Sequence, residues 1–139
     1  MSETDRDMII PDDLKYTANH QWIKMIDDIT GICGITDFAQ NSIGEVILVE
    51  FINNIVNTEI EDGEKIAIIE SLNNSIDIFS ILPGKIIEIN RPLEDSPELL
   101  NDDPYEDGWI YKIELEDILL FENLLEPDEY IENLLPEDF

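Results

Sequence analysis

Residues Ile66 to Phe79 constrain the fold of this chain more than any other stretch. Ile66-Ala67-Ile68-Ile69-Glu70-Ser71 and Ser75-Ile76-Asp77-Ile78-Phe79 read as two short, apolar-rich strands. The dipeptide Asn73-Asn74 between them predicts the tip of a tight hairpin, because asparagine tolerates the positive φ that such a turn demands. Folding about that dipeptide sets Leu72 opposite Ser75, Ser71 opposite Ile76 and Glu70 opposite Asp77. Like charges directly across a strand pair oppose pairing. The expected hairpin gives up stability near its own tip, which points to recognition at Glu70, Ser71 and Asp77.

The flanking sequence reads as more strands with a few short helices. His20 to Ile26 and Ile29 to Ile35 are expected strands joined by a turn at Asp27-Asp28. Thr36 is an expected helix cap, with Gly44 as the stop. Glu45 to Ile52 is β-branched enough for a strand buried on much of both faces. Gly63 and Pro83-Gly84 mark turns on either side of the hairpin, and Lys85 to Asn90 is another strand. Ser96 followed by Pro97 predicts a helix start. Trp109 to Leu115 is the closing strand. Asp117 and Pro127 each open an apolar run at helical spacing, expected to pack on the rest of the fold.

A chain of 139 residues with 43% hydrophobic content is one domain's worth and buries a real core. The organisation expected is a disordered acidic lead over 1–8, then a single domain over 9–139 with C-terminal helices at 117–135. The single cysteine, Cys33, excludes an internal disulfide and reads as a small core residue. His20, the only histidine, sits beside Trp22 and reads as structural. The acidic loop Asn101 to Gly108 departs from a calcium loop because Tyr105 stands where an oxygen ligand is needed. There is no catalytic Ser/His/Asp or Cys/His set and no phosphate-cradling glycine loop, so the chain does not read as an enzyme.

Charge is the extreme feature: 34 acidic against 7 basic residues, a formal −27. Such a surface repels a phosphate backbone and an anionic bilayer, and no apolar run is long enough to span a membrane. It favours a monomer and fast association with basic protein surfaces. Two readings of the acidity stand side by side, partner steering and plain solubility. The first residues resemble neither a secretory signal nor an arginine-rich transit peptide.

Glu70-Ser71-Leu72-Asn73-Asn74-Ser75-Ile76-Asp77-Ile78-Phe79 resembles the lipoyl hairpin of the glycine cleavage system H protein family, roughly Glu-Ser-Val-Lys-Ala-Ala-Ser-Asp-Ile-Tyr. Further likenesses lie at Tyr16-Thr17-Ala18-Asn19-His20-Gln21-Trp22-Ile23, at Gly34-Ile35-Thr36-Asp37-Phe38-Ala39-Gln40 and at Ile43-Gly44-Glu45-Val46. Asp95-Ser96-Pro97-Glu98-Leu99-Leu100-Asn101 and Gly108-Trp109-Ile110-Tyr111-Lys112-Ile113 continue them in the family's order. The resemblance implies a mainly β fold with short helices. That fold is a lipoyl/biotinyl-type flattened β-barrel, or barrel-sandwich hybrid, with an N-terminal extension and C-terminal helices. It also implies a non-enzymatic carrier of the aminomethyl group of glycine on a lipoyl arm. The implied partners are glycine decarboxylase, aminomethyltransferase, dihydrolipoyl dehydrogenase and lipoate-attaching enzymes. The implied compartment is the cytoplasm, or the mitochondrial matrix for a mature form.

One departure outweighs these matches. Where the family carries its lipoyl lysine, this chain has Asn73. A carboxamide nitrogen is not nucleophilic, because its lone pair is delocalised into the carbonyl. The nearest lysines, Lys65 and Lys85, lie well away from the tip. The expected state is therefore without bound cofactor, and the implied role is docking, regulatory or degenerate. The alternative function is an acidic structural or interaction module that binds a basic protein.

Overall fold

A computed structural model describes residues 8–134. Among them the strands are β1 (Lys15–Tyr16), β2 (Gln21–Met25), β3 (Thr30–Ile35), β4 (Val46–Phe51), β5 (Thr58–Ile60), β6 (Lys65–Ser71), β7 (Ser75–Phe79), β8 (Gly84–Ile89) and β9 (Tyr111–Leu115). The helices are α1 (Asp37–Ile43), α2 (Pro92–Asp95), α3 (Leu99–Asp102), α4 (Ile118–Glu122) and α5 (Pro127–Leu134). Residues 1–7 of the expected acidic lead, and Leu135 of the expected C-terminal helix, lie outside the described residues.

The strands form a six-stranded sheet in the order β1-β2-β3-β9-β8-β5 and a three-stranded sheet in the order β4-β6-β7. Every pairing is antiparallel. The fold is thus mainly β with short helices, as the sequence implies, and its two sheets share one core without closing into a continuous barrel. Ile23, Cys33 and Ile113 of the larger sheet pack in that core with Val49, Ile69 and Ile78 of the smaller. Fully burying one such aliphatic side chain contributes roughly 1.5–3 kcal/mol. The surface ion pairs, such as Lys24–Asp13 at 3.6 Å, contribute about 0–1 kcal/mol each. Apolar burial, not ion pairing, holds the sheets together.

A second core lies apart from the first. Tyr16 and Tyr130 stack with ring centroids 4.6 Å apart, among Leu14, Trp22 and Leu134. The Tyr130 hydroxyl lies 2.7 Å from Thr36 Oγ1 and 2.9 Å from His20 Nδ1, so α5 is hydrogen-bonded to the start of α1. Met8 and Ile10 pack against this core. The N–H of Ile9 donates to Asp37 at 2.9 Å, which ties the N-terminal segment down.

Capping follows the expected chemistry in two helices. Thr36 Oγ1 accepts from the Ala39 N–H at 3.2 Å, and α1 ends at Gly44 with φ +84°. Asp117 accepts from the Leu119 N–H at 3.0 Å at the start of α4. Ser96 behaves differently from the expectation. Its N–H donates to Pro92 O at 2.8 Å, so it ends α2 instead of starting a helix, and α3 begins at Leu99. The proline that fits a first helical turn is Pro92, and Leu93 behind it is buried. On α4, Leu119 is exposed rather than packed as expected, whereas Leu120 and Phe121 pack on the core.

Removing the Tyr130 ring tests the second core. Tyr130→Ala is expected to cost roughly 3–5 kcal/mol, against about 0.5 kcal/mol or less for Leu119→Ala on the exposed face of α4. Denaturant unfolding of both variants checks this, and equal losses would show that α5 does not hold the second core.

Candidate functional site

The hairpin β6–β7 is the inner half of a longer two-stranded ribbon. Its outer half is β5 paired with β8 in the larger sheet, from Thr58↔Ile86 to Ile60↔Gly84. At the crossover, the Gly63 N–H donates to Ser80 O at 2.9 Å and the Ser80 N–H to Glu64 O at 2.8 Å. Pairing then continues in the smaller sheet up to Glu70↔Ser75. The tip is therefore held by hydrogen bonding along the ribbon and by β4, whose Val46 pairs with Ser71.

The tip itself departs from the expected register. Glu70 pairs with Ser75, and Asp77 with Ile68. Ser71 and Asn74 close the turn: the Ser71 N–H donates to Asn74 O at 2.8 Å, and Ser71 Oγ accepts from the Asn74 N–H at 3.1 Å. Leu72 and Asn73, not Asn73 and Asn74, stand at the crest, and neither asparagine has positive φ. The carboxylates of Glu70 and Asp77 are not face to face, so the expected loss of pairing energy is absent. Asp77 instead lies 3.4 Å from Lys65 Nζ. Exchanging a partner for one two residues away leaves every side chain on its original face, so apolar patterning does not discriminate the two registers. The buried Ser71 hydroxyl, the relief of carboxylate repulsion and the Lys65–Asp77 pair do.

Glu70, Ser71 and Asn73 are thus brought to one end of the hairpin, and Asp77 stands mid-strand toward Lys65 at its base. Ser71 is buried and supports the turn. Asn73 and Asp77 are exposed and Glu70 is half-buried. Lys65, well away from the tip in sequence, sits at the hairpin base opposite Phe79. Only the true register reveals its partnership with Asp77.

Behind β7 the ribbon is anchored by a buried polar line that sequence reasoning missed. Gln21 Nε2 donates to Phe79 O at 2.8 Å, and the Tyr111 hydroxyl donates to Gln21 Oε1 at 3.2 Å. Burial pushes the Tyr111 phenol and the neighbouring Cys33 thiol up from their ordinary values, so both stay protonated. Cys33 is therefore the inert core residue its sequence context implies. A cleft of about 330 Å³, lined in part by His20, Ala39, Ile43, Ile76 and Phe79, lies between β7 and α1. His20 itself has φ +74° and packs on Phe38 at 4.6 Å between ring centroids.

This architecture has close relatives. Residues 14–137 match the family model described as Glycine cleavage H-protein. The chain belongs to the glycine cleavage H-protein family. It is 41% identical over 123 residues to the glycine cleavage system H protein of Coprothermobacter proteolyticus, covering 88% of this chain and 95% of that one. It is 43% identical over 122 residues to the H protein of Aliivibrio fischeri, covering 88% and 95%. The crystal structure of a glycine cleavage system H protein from Mycobacterium marinum superposes with a TM-score of 0.78 at 30% identity, covering 88% of this chain and 97% of that one. H proteins of this family are carriers and not enzymes of the glycine cleavage system. No helix among the described residues is long and apolar enough to cross a membrane.

The family's lipoyl group can be tested against the donor chemistry at this tip. Its attachment needs an amine, and Asn73 offers a carboxamide. Among the nearest lysines, Lys65 lies at the base of the hairpin in an ion pair, and Lys85 lies in β8. The residues at the tip do not fit covalent lipoate.

Two substitutions separate what sets the tip's register. Ser71→Ala leaves the Asn74 N–H without its buried acceptor and is expected to cost about 1 kcal/mol or more. Asp77→Asn loses only the half-exposed pair with Lys65, about 0.5 kcal/mol. Denaturation midpoints and Asn74 amide exchange read the difference. A larger effect at Asp77 would assign the register to the ion pair.

Proposed function

We propose that this chain is a non-lipoylated member of the H-protein family that docks to proteins of the glycine cleavage system without carrying an aminomethyl group. The observation that carries the reading is Asn73 at the crest of an otherwise family-like hairpin. The family's pattern puts its lysine second of the two crest residues, which is where Asn73 stands. Glu70 and Asp77 are the hairpin's recognition residues, and Ser71 shapes the turn that presents them. The partners proposed are glycine decarboxylase, aminomethyltransferase, dihydrolipoyl dehydrogenase and the lipoate-attaching enzymes, the last recognising the hairpin without modifying it. The cytoplasm is the proposed compartment, since relatives such as those of Coprothermobacter and Aliivibrio come from organisms without mitochondria.

Intact-mass spectrometry of natively produced protein tests the first half of this reading. The expected mass is that of the bare chain, and an added lipoyl group on any lysine overturns it. Asn73→Lys is expected to make the chain a substrate for a lipoate–protein ligase supplied with lipoate and ATP. Because Asn73 is exposed and free of positive φ, the substitution carries no left-handed backbone penalty. A variant that stays unmodified, while a lysine-bearing H protein is modified beside it, would show that the hairpin has lost ligase recognition.

The second half concerns docking. Steering by the −27 charge is expected to lower the association rate with aminomethyltransferase by about an order of magnitude between millimolar and physiological ionic strength. A rate indifferent to salt would assign the acidity to solubility. The alternative reading, a module for a basic partner outside glycine cleavage, rests on the same charge. It is favoured if neither glycine decarboxylase nor aminomethyltransferase binds.

A further inference from the structure

The three-stranded sheet has one face in the core and one face that the described helices leave open. Ala39 of α1, Leu93 of α2, Leu100 of α3 and Leu120 and Phe121 of α4 all pack on the core between the sheets, while α5 packs on the second core. None of these side chains lies over the outer face of β4-β6-β7. That face is unusually apolar for one left to water. The irregular register between Val46 and Leu48 turns both Ile47 and Leu48 outward, with Ile47 49% exposed. Ile52 is exposed just past the end of β4, and Leu72 at the crest is 66% exposed. A β-bulge that presents two consecutive aliphatic side chains to solvent gives no stability to the free chain.

The charges on the same face are nearly all of one sign. Glu50 flanks Ile68 on one rung, Glu70 stands beside Leu48 on the next, and Asp77 completes the Glu50–Ile68 rung. The only cation of these strands on this face is Lys65, already beside Asp77. This pattern selects among occupants. A second copy of the chain would bring another −27 against the first. Anionic bilayers and nucleic acids are repelled for the same reason. The complement is a surface with aliphatic side chains at its centre and lysine or arginine beside them.

We infer that the outer face of β4-β6-β7 is a docking surface for a partner protein that presents an apolar ridge flanked by lysine and arginine. The apolar residues supply the contact area, and Glu50 and Glu70 set its charge preference. This surface extends beyond the hairpin residues assigned above, and its test does not depend on which enzyme the hairpin recognises.

The probe is a short peptide alternating leucine with lysine, titrated into the isotope-labelled full chain and followed by backbone amide shifts. Two control peptides replace leucine with serine or lysine with glutamate. The leucine–lysine peptide is expected to bind about tenfold more tightly than the serine–lysine one, with shifts concentrated in β4, β6 and β7. The double variant Leu48→Ser, Ile52→Ser is expected to remove that excess. Leu72→Ser, at the more exposed crest, gives a second reading should the double variant fold poorly. Equal affinity for the two lysine peptides overturns the inference, as do shifts scattered over the whole acidic surface. Binding of the leucine–glutamate peptide as tight as the leucine–lysine one removes the charge selection and also overturns it. Concentration-dependent self-association that disappears in the double variant would assign the face to a second copy instead.

Discussion

The whole arrangement depends on a two-stranded ribbon that changes sheets without losing its own pairing. β5 and β8 belong to the six-stranded sheet, and β6 and β7 to the three-stranded one. The hydrogen bonds of Gly63 and Ser80 at 2.9 and 2.8 Å carry the pairing across the crossover. Backbone polar groups at a crossover beneath a core must be satisfied locally, because an unpaired buried group costs about 1–3 kcal/mol. Two glycines allow the geometry. Gly63 takes φ +87°, and a Cβ on Gly84 would stand 2.3 Å from Glu114 O. The hairpin tip inherits its placement from this ribbon, so the site is rigidly carried although it lies at an edge.

The buried line Tyr111–Gln21–Phe79 is the second fixation of that ribbon. It ties the C-terminal end of β7 to β2 and β9 of the opposite sheet through hydrogen bonds of 3.2 and 2.8 Å. Apolar packing between two sheets tolerates sliding, because dispersion contacts carry little directional information. A side-chain amide with both ends engaged does not. The position of β7 relative to the larger sheet is therefore set by a few directional bonds inside a core that supplies most of the energy.

Much of this was legible in the residues, and the failures have physical causes. Strands with dense β-branched runs, such as β3, β4 and β8, and helices with side-chain caps at Thr36 and Asp117 carry their own local signal. β1 and β5 do not. They span two and three residues, and they exist because Lys15 and Tyr16 pair with Ile23 and Trp22 of β2 and Thr58 to Ile60 lie on β8. Ser96 misled because its sequence context, a serine before a proline, fits a helix start. Tertiary burial of Leu93 and Leu100 places helices on either side of it instead. The hairpin register failed for a subtler reason. Both registers keep Ala67, Ile69 and Ile78 inward, so hydrophobic parity is silent, and the choice falls to one serine hydroxyl and one ion pair.

The corrected register also changes what the hairpin says about function. In the expected register, opposed carboxylates at the tip would have been a cost tolerated for recognition. In the observed one, Asp77 is paired with Lys65 and the turn is closed by Ser71, so the hairpin is locally self-consistent. Its preserved shape therefore needs no functional compensation, and shape alone does not argue for partner binding. The aliphatic bulge at Ile47-Leu48 is different, because its two side chains stand 49% and 39% exposed on the sheet face. A chain with 34 acidic residues leaves aliphatic side chains together on an open sheet face. The hairpin tip carries the family likeness, and the open face next to it carries the stronger physical argument for the proposed docking.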